Sequence, residues 1–142
     1  MGYYTHFYGK IKFNKIYKKL IEYLIKNDVE PFFSGYNIFV TEEGNCAILN
    51  FGIDMKNYGN DVEKICQFLA FLDKNAEGTI ECYGEEEDDL WAIKVEDGKV
   101  KILEGRVLYN FGCYFEDKEI KKRVKEILSD EKIKDEILIE SL

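Results

Sequence analysis

The stretch "LWAIKVEDGKVKILE", residues 90–104, leaves this chain the least conformational choice. Asp97 and Gly98 sit between two runs of alternating apolar and polar residues. A two-residue type I′ turn needs positive φ at both central positions, and Asp-Gly supplies it at low steric cost. Such a turn fixes register, setting Glu96 opposite Lys99, Val95 opposite Val100, Lys94 opposite Lys101 and Ile93 opposite Ile102. Trp91, Ile93, Val95, Val100 and Ile102 then share one face, which has to be covered by apolar material.

The rest of the chain supplies that cover. Alternation over Tyr3 to Phe13 predicts a first strand with Tyr3, Phe7, Ile11 and Phe13 on its core face and Tyr4, His6, Tyr8, Lys10 and Lys12 on the other. Asn14 is a good N-cap for a helix whose Ile16, Leu20, Tyr23 and Leu24, with Tyr17 and Ile21 beside them, form an apolar stripe. "DVEPFFSGYN" ends it, and two short strands at about 37–41 and 46–53 are joined by "EEGN". Asn60, with Glu63 as its capping-box partner, is expected to start a second helix with Val62, Ile65, Cys66, Leu69 and Leu72 as its buried face. "TIECYG", "LWAIKVE" and "KVKILEGRVLYN" read as a three-strand meander. The final helical region starts at Asp117, buries Ile120, Val124, Ile127 and Leu128, and breaks at Ser129-Asp130. The expected order is β-α-β-β-α-β-β-β-α. It describes an α+β fold, an antiparallel sheet with helices on one face, with a ferredoxin-like (split βαβ) start followed by an added hairpin and a C-terminal helix.

Residues 1–142 are expected to form a single domain, since that length buries a sufficient core without disulfide or metal and no linker or repeat interrupts it. An apolar content of 46% with 15% aromatics separates the chain from disordered acidic segments. Cys46, Cys66, Cys82 and Cys113 form no CxxC pair and lie in apolar stretches, so they read as small buried hydrophobes of a reducing, cytoplasmic compartment. No apolar run is long enough to span a bilayer, and no membrane partner is expected.

Charge is unevenly spread. Residues 1–30 carry a net +3, residues 31–110 a net −9 and residues 111–142 a net −2. The stretch 77–97 alone holds nine acids against one lysine, as much negative charge as the whole chain. Such a field repels nucleic acid and attracts cations or a basic protein surface. Its centre is "GEEEDDLW", where Glu85, Glu86, Glu87, Asp88 and Asp89 precede the only tryptophan. Alternate acids of the run supply hard oxygen ligands in principle, but the spacing lacks the turn glycine and distal glutamate of a calcium loop, so no metal ligand is assigned. Trp91 on the core face anchors the acidic tip.

His6 has no nucleophile signature near it, and the chain contains no phosphate loop, GxGxxG or GxSxG. No catalytic or cofactor-binding residue follows, no cofactor is expected, and the reading leans away from an enzyme. The residues assigned to partner binding are Glu81, Tyr83, Glu85, Glu86, Glu87, Asp88 and Asp89, with Glu77 near them, and the stripe Tyr4, His6 and Tyr8 where it is left uncovered by the last helix or a second protomer.

Two stretches, "MGYYTHFYGKI" and "GTIECYGEEEDDLWAIKVEDGKVKILEGRVLY", together resemble small acidic proteins of bacteria and their phages. Those proteins open with Gly-Tyr-Tyr-Thr and later carry Gly-Glu-Glu, an acidic spacer, Asp-(Leu/Ile)-Trp and a strand hairpin. The similarity spans about a third of the chain and leaves the helices unmatched. No activity attaches to such proteins, so no residue role transfers; the resemblance implies a phage- or mobile-element-associated accessory or inhibitor. The expected function is thus binding of a basic protein surface, without direct nucleic-acid contact. The competing expectation is a small-ligand or divalent-cation site in a cleft between the open sheet face and the C-terminal helix.

Overall fold

Asp97 and Gly98 adopt φ of 53° and 72°, and the strands on either side pair in the register the turn dictates, Glu96 with Lys99 through Ile93 with Ile102. In the computed structural model, which describes residues 5–32, 37–55, 60–84, 90–104 and 112–137, this hairpin is one part of a seven-stranded sheet. The strands are β1 Thr5–Asn14, β2 Phe39–Glu43, β3 Cys46–Met55, β4 Glu77–Tyr83, β5 Leu90–Glu96, β6 Lys99–Glu104 and β7 Gly112–Phe115. Their order is β2-β3-β1-β4-β5-β6-β7, with every neighbouring pair antiparallel. The helices are α1 Lys18–Lys26, α2 Asp61–Leu72, α3 Lys118–Leu128 and α4 Glu131–Ile137. The fold is therefore α+β.

One apolar cluster holds it together. The sheet contributes Phe7, Ile11, Phe13, Leu49, Ile53, Ile80, Ile93, Val95 and Val100, and all four helices pack onto that face or onto one another. Trp91 is half-buried against the same cluster, as its position in the hairpin requires. Gly44, at φ 62°, makes the β2–β3 turn. Among the described residues no helix is long and apolar enough to cross a membrane.

Several expectations need correction. Within the expected strand "KVKILEGRVLYN" the described part is β6, Lys99–Glu104, and a strand that was not expected, β7, pairs antiparallel with it. Residues 105–111, between them, lie outside the described residues. Asn14 does cap the first helical turn, its Oδ1 accepting from the Ile16 N–H at 3.0 Å. That turn, Lys15–Tyr17, is 3₁₀, and its tighter winding takes Ile16 off the apolar stripe and leaves it exposed. Asn60 starts α2 in the left-handed region, φ 56°, with no side-chain cap; Asp61 and Glu63 in the first turn complement the helix dipole instead. Nor is α2 one-sided. Phe68, Gln67 and Ala70 are buried along with the expected face, because α3 packs on α2 while α2 packs on β5 and β6. α3 buries Ile120, Val124 and Ile127, but Leu128 only partly, and the break at Ser129 separates it from α4.

Candidate interaction site on the open sheet face

Strand alternation decides what the uncovered face carries. On β1 the residues pointing away from the helices are His6, Tyr8, Lys10 and Lys12, flanked by β3 and β4. Register places Asp54 on one side of His6 and Tyr83 on the other, and Gly52 and Glu81 on either side of Tyr8. Directly opposed side chains on one face touch, so four residues singled out in two separate parts of the sequence become neighbours.

The contacts follow. The Nδ1–H of His6 donates to Oδ1 of Asp54. The His6 and Tyr8 rings stack with centroids 6.5 Å apart and planes 8° from parallel. Tyr8 meets Tyr83 edge-on at 6.3 Å and 60°, and the Tyr83 hydroxyl donates to Oε2 of Glu81 at 2.7 Å. Tyr8 stays 48% and Tyr83 37% exposed, so the cluster is ordered by its own contacts yet open to a partner. It combines apolar ring area with polar tips and two carboxylates, the composition that makes tyrosine frequent at interfaces.

The row of Tyr8 and Glu81 continues through Ala92 and Leu103, both buried, and the rest of the face is differently charged. Lys10, Thr79, Lys94, Lys101 and Tyr114 lie in one cross-strand row, with Lys99 and Lys101 Nζ 5.3 and 5.9 Å from the Tyr114 ring centroid. Glu77 and Glu96 flank that row. The aromatic-acidic end and the lysine row are thus separate zones of one sheet face.

Of the residues assigned from sequence, Glu81, Tyr83, His6 and Tyr8 converge here, whereas Tyr4 and the run Glu85, Glu86, Glu87, Asp88 and Asp89 lie outside the described residues. The run joins Gly84, which follows β4, to Leu90, the first residue of β5 and the partner of Tyr83. Asp54 escaped the sequence reading. Its signal was the polar alternation Asn50, Gly52, Asp54 along β3, which acquires meaning only once β3 is known to pair with β1. Among the described residues the expected cleft between the open face and the C-terminal helix is not formed: α3 and α4 pack with α2 and α1 on the covered side.

His6 with Asp54 reproduces the base-and-orienter half of a nucleophilic triad, but no described Ser, Thr or Cys hydrogen-bonds to the imidazole. Among the described residues no three His, Cys, Asp or Glu side chains gather as metal ligands. The cysteines behave as the sequence suggests in two cases of four. Burial, then Glu63, then Cys82 push the Cys66 thiol well up, and burial, Glu63 and Glu81 do the same to Cys82. Cys113 is exposed and Cys46 half-buried. With a thiol reagent such as dithiobis(nitrobenzoate), Cys113 should react first and Cys46 more slowly. Cys66 and Cys82 should lag by about a hundredfold or more until the chain is unfolded, because attack needs an accessible thiolate. Labelling of all four at one rate, read by peptide mass spectrometry, would contradict the burial described. Compared with family models, with curated proteins and with solved structures, the chain matches none of them.

Proposed function

We propose that this chain is a non-enzymatic, acidic protein that binds a basic segment of another protein at the β1–β4 end of its open sheet face. The observation that carries the reading is the register His6 with Tyr83 and Tyr8 with Glu81. It sets two exposed tyrosines beside Asp54 and Glu81 at the point where β4 runs into the acids 85–89. In this reading the tyrosines fill pockets on the partner and govern residence time, while the carboxylates accelerate encounter with lysine and arginine. Carboxylates presented in a row stand in for phosphates, so a surface built for nucleic acid is a fitting target. The likeness of two sequence stretches to proteins of bacteria and their phages gives that target a setting, an accessory or inhibitor of a nucleic-acid-binding protein.

We also read the scaffold as ferredoxin-like. Strand β3 lies between β1 and β2, and β4 on the other side of β1, which is the arrangement of a split βαβ unit; β5, β6 and β7 extend it.

The test is a pull-down from lysate of the source organism with mass spectrometry. It compares the native chain with a variant carrying Gln or Asn at residues 85–89 and with Tyr8→Ala/Tyr83→Ala. A captured protein supports the reading when it has a basic surface, is lost from both variants, and binds about tenfold more weakly on going from low to physiological salt. A captured protein held equally by the neutralised loop, or insensitive to salt, overturns it.

A further inference from the structure

At the far edge of the sheet from the tyrosine cluster, a cavity of about 400 Å³ opens between α2, the start of β6 and the end of β7. Its walls are Phe71, Val100 and Phe115, and its rim carries Lys99 and Glu116, both exposed. The ring of Tyr114 lies beneath Lys99 Nζ, and Lys121 Nζ sits 5.6 Å from the centroid of Phe71, so cations border the aromatic walls on two sides. The volume equals on the order of a dozen water molecules, enough for a small metabolite.

One polar side chain points the chemistry. Gln67 is 2% exposed, and its Oε1 accepts from the Asp117 N–H at 3.0 Å, which fixes which end of the amide is which. Its Nε2 hydrogen-bonds to no described residue, yet among the described residues no fully buried side-chain polar atom lacks a partner. The amide N–H groups are therefore not sealed, and the cavity that Gln67 lines is where they open. A donor kept dry on all other sides wants an acceptor, since leaving it unpaired costs the full desolvation of the group.

We propose that this cavity binds a small zwitterion of the α-amino-acid kind with an apolar side chain. The carboxylate meets the Gln67 amide and Lys99, the ammonium meets Glu116, and the side chain lies between Phe71, Val100 and Phe115. A ligand with only one of the two charges leaves either the buried amide donor or the Glu116 carboxylate without its complement. The site is distinct from the tyrosine cluster on β1 and β4, from which β5 separates it, although Lys99 and Tyr114 also belong to the lysine row of the open face.

Titration of the full chain with L-phenylalanine, followed by ¹H–¹⁵N spectra, tests this. Saturable shifts are expected at the Gln67 side-chain amide and at the backbone of Lys99 and Tyr114. Phenethylamine, which lacks the carboxylate, and phenylacetate, which lacks the ammonium, should each bind about tenfold or more weakly, because a site built around hydrogen-bonding groups rejects a ligand missing them. Gln67→Glu retains the acceptor for Asp117 and replaces the donor with an oxygen, so affinity should fall by about tenfold or more. Lys99→Gln, at the exposed start of β6, should weaken binding with the spectrum of the folded chain intact. Absence of any saturable shift, equal binding of phenethylamine or phenylacetate, or unchanged affinity in both variants overturns the proposal.

Discussion

Gly78→Ala is expected to lower the unfolding free energy by about 3 kcal/mol or more, and Gly9→Ala by a similar amount. A Cβ on Gly78 would lie 2.1 Å from the carbonyl oxygen of Lys10 and 2.8 Å from Cα of Ile11; one on Gly9 would lie 2.2 Å from the oxygen of Thr79 and 2.7 Å from Cα of Ile80. These are backbone atoms of the neighbouring strand, so no side chain can swing aside. Relief requires β1 and β4 to separate, and the two strands are adjacent in the middle of the sheet, each glycine opposite a fully buried isoleucine. Gly52→Ala is the control: it lies opposite Tyr8 on the open face, and nothing stands within 4 Å of its added carbon. That change should stay within about 0.5 kcal/mol. Urea denaturation of the three variants separates the outcomes, and equal midpoints for Gly78→Ala and Gly52→Ala would refute the close approach. The same strand pairing holds His6 beside Tyr83 and Tyr8 beside Glu81, so the two destabilising variants should also lose partner capture, whereas Gly52→Ala keeps it.

That coupling explains which parts of the molecule were legible in the sequence. Turn chemistry is local, so Asp97-Gly98 announced both its conformation and the pairing of the eight residues around it. Alternation is local too, and it sorted β1 correctly into Phe7, Ile11 and Phe13 on one face and His6, Tyr8, Lys10 and Lys12 on the other. What alternation does not carry is the neighbour. The β1–β4 pairing joins segments far apart in the chain, so His6 and Tyr8 could be named, and Glu81 and Tyr83 could be named, without their meeting being foreseen. Asp54 was lost for the same reason. β7 was hidden because "GCYF", residues 112–115, is too short an apolar stretch to announce a strand of its own. Asn60 illustrates a different limit: residue type suggested a cap, whereas its backbone is left-handed and its side chain makes no capping hydrogen bond.

The second face of α2 was readable but under-read, and it carries the largest expected effect of a side-chain truncation. "FLAFL", residues 68–72, is apolar on nearly every side, and a helix without a polar face is one that is covered all round. Phe68, fully buried, meets Phe32 edge-on with centroids 4.9 Å apart and planes 88° apart. Phe68→Ala should therefore cost about 3–5 kcal/mol, the sum of lost transfer free energy and a cavity that rigid neighbours on two sides cannot close. Phe32→Ala should cost a comparable amount, and the double variant less than the two together by about 0.5–1.5 kcal/mol, the part owed to the ring pair. Additive losses in a urea-denaturation cycle would show that the rings do not interact. Because α2 lies on the covered side, Phe68→Ala leaves the β1–β4 register untouched. Below its lowered melting temperature it should retain the ring-current shifts of the His6–Tyr8–Tyr83 cluster and full partner capture. Gly78→Ala at matched stability should lose both, which distinguishes a scaffold residue from one that builds the site.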